Sequence, residues 1–267
     1  MNLYQNLVRT AESNPDATAL YFGHDTVSYG ELLSRTNRLA NGLRSLGLDE
    51  NSKVAILLRN LPEFVISYYA VLSLGATVVP LCYMCLAEEV EKIVCDSMVE
   101  TMITNFEFDD LVKDLQSPEC SQIHRFIVKD APELEGVIQY EKLVEGQPET
   151  IDAAQRDDDD VAVILYAPTS SKVVRGCMLT HRNLDWNTAA MTRQCKLKTD
   201  DVIMAVLPFF AVYGQSCVMN SAIKAGSSMV LQESFIPGEV LKALQHEQVT
   251  VFFGVPTMFV YLSLIHI

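Results

Sequence analysis

Apolar residues recur along this chain with two periods, and the switching between them predicts alternating helices and strands. From Glu31 to Leu46, Leu32, Leu39, Leu43 and Leu46 share one helical face, with Arg35, Arg38 and Arg44 elsewhere. Val54 to Leu58 is a continuous apolar run of strand length. Ala87 to Met98 turns Val90, Ile93 and Val94 inward as a helix, and Thr101–Thr104 and Phe126–Val128 read as strands. Tyr140 to Val144 reads as a short helix, and Pro132 to Gln155 otherwise as a surface connection rich in Pro, Gly and acids. The alternation resumes with a strand at Val161–Tyr166, a loop, and a helix from about His181. It continues with strands at Val202–Val206, Ser228–Leu231 and Val249–Phe253, a helix between the first two, and a helix at Gly238–Glu247. Strands buried on both faces and separated by helices imply parallel sheets joined by crossovers. The predicted class is α/β, with mostly parallel sheets flanked by helices.

One stretch competes with that picture. Phe64 to Ala87 carries no charge and is long enough to cross a bilayer. Pro62 and Glu63 look like a first helical turn, Gly75 like a stop, and Ala76–Val79 like a buried strand, so helix plus strand is favoured over a span.

Composition narrows the function. Lys and Arg number 20 against 34 Asp and Glu, a net charge of −14, which disfavours a nucleic-acid groove because phosphate backbones need clustered cations. Half the residues are apolar (49%), enough for a sizeable core. Cys82 and Cys85 form a lone CxxC, but no second pair or nearby histidine completes a metal site, so no metal ligand is assigned. Buried structural thiols in a reducing cytoplasm are the better reading. The N-terminus lacks a basic-then-apolar signal pattern, which fits a cytoplasmic location. Asp157–Asp160 reads as a solvated loop, and the final apolar stretch from Pro256, which has no C-cap or polar face, reads as a truncated element.

The segment carrying the chemistry runs Y-A-P-T-S-S-K-V-V-R-G-C-M-L-T-H-R-N-L, from Tyr166 to Leu184. A strand leads into a hydroxyl-rich loop, then a cation and a glycine, then a helix. Such a loop can wrap a polyphosphate with backbone N–H groups, hydroxyls and a positive charge. The segment resembles the signature of the adenylate-forming superfamily, roughly Y-T-S-G-T-T-G-x-P-K-G-V-x-L-T-H-x-N, of acyl-CoA synthetase or fatty acid–CoA ligase type. Five supporting matches occur in the expected order: Thr26–Leu32, Lys53–Leu58, Gly75–Leu81, Leu207–Gly214 and Gly254–Thr257.

The resemblance implies an AMP-forming carboxylic acid–CoA ligase that uses ATP, Mg2+ and coenzyme A on a small carboxylate, with a fatty acid favoured. It implies phosphate contacts at Thr169, Ser170, Ser171, Lys172, Arg175 and Gly176, and an acyl pocket touched by Ala211, Tyr213, Gly214, Gly254 and Pro256. It also implies that the adenylation lysine lies beyond Ile267, so no catalytic residue is assigned within the chain, which reads as an incomplete, weakly active or inactive fragment. The expected organisation is an N-terminal βα subdomain over residues 1–158 and a second, truncated subdomain over 159–267 that carries the loop.

Departures from the pattern matter. Thr169 and Lys172 stand where the signature has glycines, Val174 replaces its proline, and Arg175 its lysine. If those glycines use positive φ, each replacement costs on the order of 1–3 kcal/mol and places a side chain where backbone should approach phosphate. Weak ATP binding is the expectation, and a non-catalytic descendant that binds an acyl ligand or a partner is the alternative. Ala211 stands where the family commonly has a histidine. His181 reads as a helix-start residue, and Trp186 and Met191 as packing residues.

Overall fold

A computed structural model describes residues 2–116, 122–166 and 174–266. From the N-terminus run helix α1 (Tyr4–Ser13), strands β1 (Thr18–Phe22) and β2 (Asp25–Ser28), and helix α2 (Tyr29–Ser45). Next come β3 (Lys53–Leu57), α3 (Pro62–Ser73), β4 (Thr77–Pro80), α4 (Ala87–Ser97) and β5 (Thr101–Asn105). These are followed by α5 (Asp109–Leu115), β6 (Arg125–Lys129), β7 (Val137–Gln139), α6 (Tyr140–Val144) and β8 (Val161–Tyr166). Strand β9 (Gly176–Thr180), α7 (His181–Gln194) and β10 (Val202–Ala205) lead into a π-helical segment, Tyr213–Asn220, that continues as α8 (Ser221–Ala225). The described chain closes with β11 (Ser228–Leu231), α9 (Pro237–His246), β12 (Val251–Phe252) and α10 (Pro256–His266).

The chain divides into two compact units. One takes residues 1–4, 34–58 and 66–183, and the other residues 5–33, 59–65 and 184–267. The first holds a seven-stranded sheet in the order β7-β6-β5-β3-β4-β8-β9, parallel throughout except where β9 runs antiparallel to β8. Its core packs Ala55, Leu57, Val79 and Met102 from the strands against Val90, Ile93 and Val94 of α4. The second holds a five-stranded sheet, β12-β10-β11-β1-β2, parallel except at the β1–β2 hairpin. Its core gathers Met204, Val206, Val230 and Val240.

Local chemistry explains most element boundaries. Helix α3 is apolar all round because it is buried all round, with Phe64, Val65, Tyr68, Tyr69 and Val71 fully inaccessible. It ends at Gly75, which takes φ +76°, while the Ala76 N–H reaches back to the Val71 carbonyl at 3.2 Å. The uncharged stretch is therefore a core helix and a core strand, and no helix among the described residues is long and apolar enough to cross a membrane. Helix α4 buries Val90, Ile93 and Val94 as its periodicity predicts, and Met98 caps it in the left-handed region.

Three features depart from the sequence reading. Strand β7 lies inside the segment read as a surface connection and adds a parallel edge to the first sheet. Strand β9 replaces the expected run-in to a helix. Trp186, read as a packing residue, is 74% exposed.

Tyr29 shows how the second unit is tied together. Its buried hydroxyl donates to the Ser227 carbonyl at 2.7 Å and lies 3.2 Å from the Ala222 carbonyl. Burial pushes the phenol far above its ordinary pKa, so it remains a donor at every accessible pH. Replacing Tyr29 with Phe leaves a buried carbonyl without its donor. Urea unfolding should show a loss of about 1–3 kcal/mol, and an unchanged midpoint would mean that water takes over the bond.

Candidate functional site

In the first unit the candidate loop springs from a β-hairpin rather than from a strand-to-helix turn. Strands β8 and β9 pair antiparallel, with Leu165 opposite Cys177 and Tyr166 opposite Gly176. Thr169, Ser170, Ser171 and Lys172 lie outside the described residues. Of the expected phosphate contacts, the exposed Arg175 and Gly176 are described. Gly176 opens β9, and a Cβ there would stand 2.7 Å from the Ile164 side chain and 2.8 Å from the Tyr166 ring. Close packing against β8 thus gives this glycine a structural reason to be present. The Tyr166 hydroxyl donates to Asp96 at 2.5 Å. Burial first, and then the Asp96 carboxylate, raises that phenol well above its ordinary pKa.

The base of the hairpin is closed by hydrogen bonds at the start of α7. The His181 N–H donates to the Asp160 carbonyl at 3.1 Å, and the Arg182 N–H to the Asp158 carbonyl at 2.9 Å. Thr180 and Asn183 bond reciprocally, each side chain accepting from the other's N–H at 3.1 Å. This is a capping box in which Asn stands at the third helical position. The first N–H groups of α7 are therefore already used within the chain. The acidic run is largely exposed, as expected, and it also supplies the acceptors that begin the helix. Asp159 pairs with Arg182, and Asp160 lies 3.0 Å from Arg156.

His181 is fully buried, and its Nδ1 accepts the Leu3 N–H at 3.1 Å. The proton must therefore sit on Nε2, which has no hydrogen-bond partner among the described residues. Burial first, and then the nearby Arg156 charge, lowers its pKa from 6.5 to about 4. The neutral ring anchors the residue before α1, and His181 opens α7 as the helix-start reading expects.

In the second unit the expected pocket residues leave one end of the sheet. Strands β10 and β12 run parallel with Ile203 opposite Val251 and Met204 opposite Phe252. Residues 207–214 and 254–256 thus both emerge beyond carboxyl ends of adjacent strands, where open α/β sheets place their ligands. Ala211 is half-buried, and its N–H donates to the Pro208 carbonyl at 3.1 Å. Tyr213 is 39% exposed, and burial raises its pKa above the ordinary value. Gly214 is buried where a Cβ would meet the Pro208 carbonyl oxygen at 2.3 Å, so no other residue fits without moving the backbone. A Cβ on Gly254 would touch the rings of Phe252 at 3.0 Å and Phe259 at 3.1 Å, and Pro256 starts α10.

Sequence reasoning missed the residue that holds this segment. Asn60, two residues before Pro62, is buried and donates from Nδ2 to the carbonyls of Ala205 and Leu207, each at 2.9 Å. Its Oδ1 accepts the Phe209 N–H at 2.9 Å. One side chain therefore satisfies three backbone groups of a segment about 150 residues away. Only an apolar setting around a lone Asn could have hinted at this. Gln215 was missed as well; it is buried in the π-helical segment and donates to the Phe209 carbonyl at 3.4 Å. Such π-turns recur at functional sites.

Comparison with known proteins adds an independent view. A family model described as AMP-binding enzyme matches residues 7–266. Feruloyl-CoA synthase of an Amycolatopsis species is 31% identical over 252 residues, covering 94% of this chain and 48% of that protein. Crotonobetaine/carnitine–CoA ligase of Shigella flexneri serotype 5b is 31% identical over 234 residues, covering 86% and 46%. The chain thus spans about half the length of the curated relatives it matches. Among solved structures, the anthranilate CoA ligase AuaEII with anthranoyl-AMP superposes at TM-score 0.92 and 21% identity, covering 97% of this chain and 50% of that one. A long-chain-fatty-acid-CoA ligase of Archaeoglobus fulgidus superposes at 0.89 and 21% identity, covering 98% and 53%. At those identities the likeness establishes the fold.

Two measurements probe the site. Below pH 6.5 the unfolded chain protonates His181 while the folded chain does not. The stabilisation is complete above 6.5 and drains away as pH falls toward 4, by about 3 kcal/mol in all. Urea unfolding across that window should show a shallower pH slope for His181→Asn than for the parent chain, whereas equal slopes would remove the buried neutral ring from the account. For Asn60→Ala, unfolding free energy should fall by about 1–3 kcal/mol through the unpartnered Phe209 N–H, a loss readable by the same method.

Proposed function

Since the chain belongs to the AMP-binding enzyme family, we propose that the whole protein activates a carboxylic acid with ATP as an acyl-adenylate and passes the acyl group to coenzyme A. The observation carrying this reading is the match of the family model from residue 7 to residue 266, with CoA ligases among the relatives at 31% identity. The carboxylate would attack the α-phosphorus of ATP and release pyrophosphate, and the thiol of coenzyme A would then displace AMP. In such a reaction the protein's work is to position phosphates and offset charge.

Within this reading Ser170, Ser171 and Arg175 are the phosphate contacts that keep suitable chemistry. Arg175 offers a planar fork in place of an ammonium. Gly176 serves the hairpin that carries them. Thr169 and Lys172 weaken the grip by occupying glycine positions. Ala211, Tyr213, Gly214, Gly254 and Pro256 belong to the acyl pocket, where the small Ala211 leaves room. No three His, Cys, Asp or Glu side chains converge among the described residues. An Mg2+ ion would be carried largely by the ATP phosphates with one or two protein oxygens, and no residue and no step is assigned to it.

A fatty acid is the proposed substrate class. The aromatic and quaternary-ammonium acids named by the two relatives are the comparison substrates. A second reading, a non-catalytic acyl- or partner-binding descendant, is favoured by one observation, the side chains at Thr169 and Lys172.

ATP–pyrophosphate exchange by the full-length protein, over a panel of fatty, hydroxycinnamic and betaine-type acids, separates the readings. Exchange stimulated most by fatty acids supports the first; a folded protein silent with every acid supports the second. Calorimetric titration should show weak Mg-ATP binding by the parent protein. Replacing both Thr169 and Lys172 by Gly should tighten it at least ~30-fold, the lower end of two strained positions relieved. Tight binding by the parent protein would overturn the damaged-loop reading.

A further inference from the structure

The CxxC pair, set aside in the sequence as structural thiols, acquires a specific geometry in the fold. Cys82 and Cys85 bracket the turn between β4 and α4, and the Cys85 N–H donates to the Cys82 carbonyl at 3.1 Å. A turn closed by that bond keeps its end Cα atoms within about 7 Å, which overlaps the roughly 4.4–6.8 Å range a disulfide requires. Both residues are half-buried rather than sealed in the core. The Cys82 side chain and the Glu89 carboxylate both lie close enough to Cys85 to influence its ionisation. That carboxylate accepts the Leu86 N–H at 2.9 Å and so is fixed at the first turn of α4. Tyr83 and Cys85 pack on the same apolar cluster as Tyr166 and Val174, beside the carboxyl end of β8.

We propose that Cys82 and Cys85 form a dithiol modification site that exchanges with a small-molecule disulfide, such as oxidised glutathione, to close a Cys82–Cys85 bridge at the β4–α4 turn. The Cys82 thiolate attacks one sulfur of the incoming disulfide and expels a glutathione thiolate, which takes up the proton Cys82 gave to solvent. Cys85 then passes its proton to Glu89 and attacks the Cys82 sulfur, expelling the second glutathione thiolate, which is protonated in turn. The protein loses two electrons and two protons, and the disulfide reagent gains both.

The order of attack follows from the surroundings. Burial first, and then the neighbouring Cys82 and Glu89, pushes the Cys85 thiol up to about 12. A thiol so rarely ionised is a poor first nucleophile. It serves once the mixed disulfide on Cys82 has removed that neighbour's charge. Cys95 and Cys177 are exposed thiols that provide an internal comparison.

The test equilibrates the reduced chain with glutathione buffers of rising potential, quenches with an alkylating agent, and maps the peptides. The peptide spanning Cys82 and Cys85 should lose two hydrogens and regain them with dithiothreitol, while Cys95 and Cys177 carry at most mixed disulfides. C85S should trap glutathione on Cys82, and in C82S modification of Cys85 should slow at least ~10-fold. The proposal fails if both thiols stay alkylatable while the exposed cysteines are oxidised. It fails equally if Cys85 reacts at an undiminished rate in C82S, or if bridges form only with other cysteines. Circular dichroism of both serine variants verifies that they fold. These readouts do not involve ATP or acid activation, so their failure is distinct from failure of the ligase reading.

Discussion

The closure at the foot of the β8–β9 hairpin is the constraint on which the first unit's chemistry depends. The His181 N–H on the Asp160 carbonyl and the Arg182 N–H on the Asp158 carbonyl join the residue before β8 to the residue after β9. Strands β8 and β9 are thereby tied together at the end where α7 begins. The same bonds start α7, and the Thr180–Asn183 box completes its cap. A short polar motif that resembles ligand chemistry therefore also works as helix architecture. His181 belongs to that architecture, because its ring accepts the Leu3 N–H and is too deeply buried to charge near neutral pH.

The second unit solves a related problem with one side chain. The stretch after β10 leaves the sheet and enters a π-helical turn, so its backbone groups lack regular partners. Asn60 supplies three bonds to that stretch from a distant part of the chain. Gly214 permits the approach of the Pro208 carbonyl that the turn requires. The segments at 207–214 and 254–256, proposed to line the acyl pocket, are consequently set by a sheet end, an asparagine and a glycine. Such rigid supports would suit the proposed reaction, in which the protein mainly positions its reactants.

Two kinds of element separate what was legible from what was not. Strands β8 and β11 and helix α6 match the sequence reading residue for residue, the two strands because their apolar runs are bounded by turn or charge signals. Helix α3 was legible in extent though uniformly apolar, since Pro62 and Gly75 punctuate it. Strand β9 was not, because it is short, mostly exposed and immediately followed by a helix start, so no alternating burial marks it. Strand β7 was hidden similarly, with three partly buried residues on the edge of a sheet.

The amino-acid order alone therefore determined the α/β class, the main helices and strands, and the family, through motifs that carry local physical signals. Tertiary structure decided which strands pair, how segments from several stretches of chain assemble into each unit, and which polar residues hold the site. Asn60 and His181 act through partners far away in sequence, and Gly176 through side chains on a neighbouring strand. No local pattern encodes those contacts, because burial and hydrogen-bond satisfaction are properties of the packed chain.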